Sequence, residues 1–179
     1  MAANGFTHDN VANKTVDWYT PAYVVETLRR CGATFTLDPC APEGGVPWLN
    51  MPKSYSLVDD GLSKTWACES VWLNPPYGRH TPAWLEKLAA SMKDGASGIA
   101  LVFARTDCGW FHEATKFASG ILFLKGRIKF FDGLGKTAGN GAGAGSMLIA
   151  YGAGNAAVLR QAAQTEALNG LFVDLKHSS

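Results

Sequence analysis

The chain has 179 residues, 47% of them hydrophobic and 17% charged, and its 16 lysines and arginines nearly balance 15 aspartates and glutamates for a net charge of +1. That length supports one well-buried core and is too short for two ordinary domains, and the composition is globular, neither disordered nor fibrous. No apolar run approaches a membrane span and the N-terminus lacks a signal-peptide layout, so a cytoplasmic protein without a membrane partner is expected.

Residues 1–14 are polar and patternless and read as a loose leader, with one domain over 15–179. Asp17-Trp18-Tyr19-Thr20-Pro21 then leads into a helix over Ala22–Arg30, with Thr20 as its cap, Pro21 in the first turn, and Val24, Val25 and Leu28 as its apolar stripe. Thr34-Phe35-Thr36-Leu37 alternates as a strand and halts at Asp38-Pro39-Cys40-Ala41. Residues 42–66 read as loop, with Asp59-Asp60-Gly61 as a turn signal.

A second strand, Val71-Trp72-Leu73, stops at Asn74 and two consecutive prolines, followed by Tyr77 and Gly78. Proline has a fixed φ and no N–H, so this turn is stiff. It presents the Asn74 amide and the Pro75 carbonyl as hydrogen-bonding groups, and Tyr77 as a flat face for a planar ligand. Thr81-Pro82 opens a helix carrying Trp84, Leu85, Leu88 and Met92 at helical spacing, which ends at Asp94-Gly95.

The continuous apolar run 98–104 predicts a central strand covered on both faces. Asp107 is expected to cap a short helix with Trp110, Phe111, Ala114 and Phe117 turned inward. Residues 121–124 and 128–131, flanking Lys125-Gly126-Arg127, predict a hairpin or strand pair. After a glycine-rich loop at 132–145, a strand over 147–151, a helix over 156–168 and an edge strand or packed tail at 171–175 complete the chain. Strand–helix alternation through the first two-thirds argues for a largely parallel sheet with helices on both faces, and the closely spaced later strands for some antiparallel pairing. Asp38 and Asn74 both follow strand carboxyl ends, the edge where open α/β sheets bind ligands.

Cys31, Cys40, Cys68 and Cys108 form no close pair, so neither a metal site nor disulfides are expected, and the thiols read as free and mostly buried. The near-neutral charge supplies no global basic face, so nucleic-acid binding would rest on a local cleft, with Arg105, Arg127 and Lys129 flanking predicted strand ends.

Asn74-Pro75-Pro76-Tyr77 is similar to the catalytic motif of S-adenosylmethionine-dependent methyltransferases that act on amino or amide nitrogens. A longer ordered set resembles the phage-type DNA N6-adenine methyltransferases, the small Dam-like family. Trp18 to Pro21, Leu37 to Ala41, Asp60-Gly61-Leu62 and the Asn74 motif come first. Ala104 to Asp107, Trp110-Phe111, Gly126 to Phe130 and Ser146 follow. The resemblance implies a Rossmann-like methyltransferase fold without a separate target-recognition domain. It also implies S-adenosylmethionine as cofactor and double-stranded DNA as partner, in a bacterial or phage-infected cell.

Carried over by position, Trp18, Tyr19, Thr20, Asp38 and Pro39 meet the cofactor, with Asp60 the candidate for its ribose hydroxyls. Asn74, Pro75, Pro76 and Tyr77 hold a flipped adenine. From their own places beside predicted strand ends, Arg105, Arg127 and Lys129 read either as DNA phosphate contacts or as a solvated face. One feature departs from larger methyltransferases: no glycine follows Asp38 until Gly44, where those enzymes bring backbone close to the cofactor. Two other readings compete: a methyltransferase for RNA or for protein glutamine, and a catalytically silent nucleic-acid-binding relic.

Overall fold

The structure is a computed structural model that describes residues 19–131 and 143–175. Trp18, the leader at 1–14 and most of the glycine-rich loop lie outside the described residues. The chain runs α1 (Ala22–Arg30), β1 (Leu37–Asp38), β2 (Lys53–Ser54), β3 (Ser70–Leu73), α2 (Thr81–Ser91) and β4 (Ser97–Phe103). It continues with α3 (Gly109–Thr115), β5 (Gly120–Leu124), β6 (Ser146–Tyr151), α4 (Ala153–Ala162) and β7 (Gly170–Asp174).

Among the described residues these strands form one sheet in the order β2-β1-β3-β4-β6-β5-β7. The pairs β2–β1, β1–β3 and β3–β4 are parallel, while β4–β6, β6–β5 and β5–β7 are antiparallel. The sheet is thus evenly divided instead of mostly parallel. The cause is β6, which returns antiparallel and fills the gap between β4 and β5.

Side-chain alternation along the strands produces two apolar layers, as the period of two requires. Trp72, Ile99, Leu101, Leu148 and Ala150 face α1 and α4, packing on Val24, Leu28, Val158 and Leu159. Val71, Leu73, Ala100, Val102, Met147 and Ile149 face α2 and α3, packing on Trp84, Leu85, Leu88 and Ala114. Helices on both faces follow, as the alternating pattern predicted.

Several local expectations change. Pro21, not Thr20, stands at the α1 cap, and no side chain caps that helix. Cys108 occupies the cap position of α3, also without a side-chain bond, so Asp107 does not cap it. Phe117 is 58% exposed and turns away from the core. Residues 121–124 and 128–131 form no hairpin: β5 pairs with β6 and β7, and Phe131 bridges to Tyr19 instead. The expected loop 42–66 contains β2 and a 3-10 turn at Pro47–Leu49. β2 is too short and too exposed to show a periodic apolar signal. Only Cys31 is buried; Cys40 and Cys108 are half-buried, Cys68 is exposed, and all four are free thiols.

Gly98 sits opposite Val71 where β4 pairs with β3. A Cβ there would stand 2.5 Å from the Val71 carbonyl oxygen and 3.0 Å from Val71 Cβ. Since both strands are buried, the clash has no soft outlet. We expect Gly98→Ala to lose about 1–3 kcal/mol and several degrees of Tm, measured by thermal and urea denaturation.

Candidate active site

β1 leads outward to β2 at the sheet edge, and the chain then returns across β1 to place β3 on its other side. The strand order reverses between β1 and β3, and the connections diverge at their carboxyl ends, leaving a crevice there. A cleft of about 650 Å³ occupies this position. Asp38 and Asn74 both line it, because β1 and β3 are neighbours with Leu37 opposite Val71.

A thiol ties the two motifs together. Cys40 Sγ donates to the backbone carbonyl of Asn74 at 3.2 Å, and the Cys40 N–H donates to Asp38 Oδ1 at 3.2 Å. Asp38 is only 4% exposed. Burial pushes its carboxyl pKa up to about 7, partly offset by the Cys40 N–H. The Cys40 thiol is also raised, first by burial and then by the neighbouring carboxylate, so it serves as a neutral donor and not as a nucleophile.

Past β3 the turn is held from both ends. Pro75 is buried and Pro76 exposed. The Pro76 carbonyl accepts from Thr81 Oγ1 at 3.0 Å, which joins the motif to the first turn of α2. Tyr77 Oη donates to Asn74 Oδ1 at 3.0 Å. Its ring stacks on Phe103, the last residue of β4, at a centroid distance of 4.0 Å. Phe103 is a site residue that sequence reasoning missed, since within the apolar run it carries no mark separating it from core.

Tyr19 and Thr20 line the cleft, and so does Asp60. Pro39 does not; it is buried, with its carbonyl turned toward Gly61. A Cβ on Gly61 would lie 1.9 Å from that oxygen. The contact packs the Asp60–Gly61 segment directly on the backbone of the Asp38 turn and leaves no room for a side chain at position 61. Trp66 Nε1 donates to the Gly61 carbonyl at 2.9 Å and its ring stacks near Trp84, fixing the Asp60–Gly61 loop against α2.

Sequence reasoning also missed Trp48, which donates through Nε1 to the Thr20 carbonyl at 2.8 Å and meets Tyr19 and Phe131 edge-on. Leu57 and Val58, 96% and 84% exposed, complete the cleft mouth. Among the described residues, the charged side chains lining the cleft are Asp38, Glu43 and Asp60, with no lysine or arginine.

A family pattern described as DNA N-6-adenine-methyltransferase (Dam) matches residues 8–162 of the chain. The protein belongs to the Dam family. A DNA N-6-adenine-methyltransferase of Escherichia phage T1 is 29% identical over 109 residues, which are 60% of this chain and 44% of the phage protein. The chain therefore matches less than half the length of that relative. No solved structure matches it.

In this Dam-family chain the expected DNA-contacting residues stand apart from the cleft lining. Arg105 follows the end of β4, and Arg127 and Lys129 follow the end of β5, all three exposed. Because β5 runs parallel to β4 through the intervening β6, both ends open on the cleft's edge of the sheet. Among the described residues no cluster of three or more His, Cys, Asp or Glu is arranged to hold a metal, and no helix is long and apolar enough to cross a membrane.

The raised Asp38 pKa has a thermodynamic signature. The ordinary aspartate value is 3.8, against about 7 in the folded chain. Between those values the native state holds a proton that the unfolded chain has lost. The contribution of Asp38 to stability is therefore complete below about pH 4 and is lost as pH rises to about 7. Its size is at most about 4 kcal/mol, three units at about 1.4 kcal/mol each. Urea denaturation across this range should show Asp38→Asn gaining on the wild type as pH rises. Parallel pH profiles for the two proteins would contradict the assignment.

Proposed function

We propose that the protein transfers a methyl group from S-adenosylmethionine to N6 of an adenine flipped out of a short duplex DNA target, on a Rossmann-like methyltransferase fold. One observation carries the proposal: Asn74-Pro75-Pro76-Tyr77 and the Asp38 turn are hydrogen-bonded to each other across one cleft, at the reversal point of the sheet.

The cleft suits this cofactor. Its acidic lining, with Glu43 and Asp60 at the rim and no lysine or arginine among the described lining residues, favours a ligand with positively charged sulfur and ammonium groups. Thr20 Oγ1 and Trp72 Nε1 are buried in the cleft wall with no hydrogen-bond partner among the described residues, leaving polar capacity on the α1 side. Tyr19, Thr20 and Asp38 would hold the methionine portion, and Asp60 the ribose hydroxyls. When bound, the cofactor supplies an electrophilic methyl on a cationic sulfur.

The protein's own part is to hold the base and prepare the nitrogen. An adenine in a duplex hides N6, so the base must leave the stack. Its amino lone pair is delocalised into the ring and is poorly nucleophilic. Asn74 Oδ1 and the Pro75 carbonyl accept the two N–H groups and favour a pyramidal nitrogen with an available lone pair. Held this way, the nitrogen would face the methyl supplied by the bound cofactor, and the amino proton released on transfer would pass to solvent. Positioning and electrostatics carry the rate, so no strong general base is needed. Arg105, Arg127 and Lys129 engage phosphates along the sheet edge, outside the acidic cleft.

Asn74→Ala should leave cofactor affinity nearly intact in isothermal titration while slowing single-turnover methylation about 100- to 1000-fold, since the lost bond matters most in the transition state. Tritiated cofactor offered with DNA, RNA and protein acceptors tests the acceptor class, and label entering only RNA or protein would replace the DNA assignment. Near-normal turnover by Asn74→Ala would reduce the motif to a strand-ending turn.

Affinity for DNA should fall steeply with salt. Changing Arg105, Arg127 and Lys129 together to alanine should lower the slope of log affinity against log salt by about 2.7, three contacts at about 0.9 each. An unchanged slope would place the DNA elsewhere on the surface.

A further inference from the structure

The Asn74 side chain is a carboxamide whose two ends differ little in shape and oppose each other in chemistry. One end accepts hydrogen bonds and the other donates them. An amino group arriving in the cleft is itself a donor, so turning the amide by half a rotation would set donor against donor. Something must hold the oxygen in place. Tyr77 is built for this: its hydroxyl donates to Asn74 Oδ1 at 3.0 Å.

The hydroxyl can hold the amide only if the ring is itself fixed. Phe103 lies against one face at 4.0 Å with planes 16° apart, and Phe130 meets the ring edge-on at 5.9 Å and 73°. Phe103 ends β4 and Phe130 is 1% exposed, so both neighbours are rigid. Burial raises the Tyr77 pKa well above the ordinary phenol value, which keeps the hydroxyl a donor at any working pH. An amide oxygen has two lone pairs, so the bond from Tyr77 does not by itself exhaust its acceptor capacity.

We infer that Tyr77 is a positioning residue whose hydroxyl orients the Asn74 amide with its oxygen toward the incoming amino group, in addition to any stacking by its ring. This rests on the reading of Asn74 as an acceptor in methyl transfer. It makes the hydroxyl, and not only the aromatic face, necessary for rate. It also predicts where the hydroxyl becomes dispensable. In Asn74→Asp both side-chain ends are oxygens, so no wrong orientation exists for Tyr77 to prevent.

The test is a double-mutant cycle by single-turnover methylation with saturating DNA. It uses wild type, Tyr77→Phe, Asn74→Asp and the double variant, with cofactor Kd measured for each. Tyr77→Phe keeps the ring, so cofactor Kd should stay within about twofold while transfer slows about 10- to 100-fold, the scale of a misplaced reacting group. In the Asn74→Asp background, adding Tyr77→Phe should change the rate less than about twofold. Equal losses in both backgrounds would mark a general packing role and overturn the inference. No loss in either would leave stacking as the only role and would overturn it too. Wild-type transfer by Asn74→Ala is a separate outcome that would remove the acceptor reading beneath it.

Discussion

The pairing of Leu37 with Val71 places everything else in the site. Both side chains are fully buried on the α2 face of the sheet. Their parallel register brings the residues that follow β1 and β3 out at the same edge. A slip of one residue would exchange the faces that Leu37 and Asp38 present, taking the carboxyl group off the cleft and into the apolar layer against α2. Burial therefore sets the geometry of the polar groups. Beyond the two paired residues, β1 is held by main-chain bonds from Thr36 to Ser70 and from Tyr55 to Asp38. At its other end Thr36 Oγ1 donates to Glu69 at 2.6 Å, and Lys53 pairs with the same carboxylate.

On this frame the cleft is supplied with uncharged donors where its backbone needs them and with carboxylates where a cation would be welcome. The Cys40 thiol and N–H, the Thr81 hydroxyl and the Tyr77 hydroxyl satisfy the Asn74, Asp38 and Pro76 acceptors without adding positive charge. Arg105, Arg127 and Lys129 lie at the same sheet edge after β4 and β5, outside the cleft lining. In the proposed reaction that separation keeps phosphates at the rim and reserves the interior for a cationic ligand. It also reconciles a DNA-directed family with a chain of net charge only +1.

The glycine-free turn after Asp38 is braced from a distant segment. A turn after Asp38 without glycine suggests a degraded cofactor loop when the chain is read linearly. In three dimensions Gly61 packs on the Pro39 carbonyl, secured by Trp66 and Trp84, which ties the Asp60 segment to the Asp38 turn. Trp66 and Gly61 are five residues apart and legible as a turn, but their partner Pro39 lies more than twenty residues away. No local pattern connects them.

The sequence by itself determined the short-range features. The strands that stop at proline, the apolar stripe of α1, the buried run of β4 and the stiff Asn74 turn depend on φ restrictions and side-chain periods within a few residues. So did the family, because its ordered motifs are local words. Only the tertiary structure decided which strands are neighbours, and hence that Asp38 and Asn74 share a cleft. It alone placed β6 antiparallel between β4 and β5, denied residues 121–131 their hairpin, and laid Phe103 on Tyr77. An apolar run records that a strand is buried, not whom it pairs with or in which direction. Those choices are made by the competition of all the strands for one core.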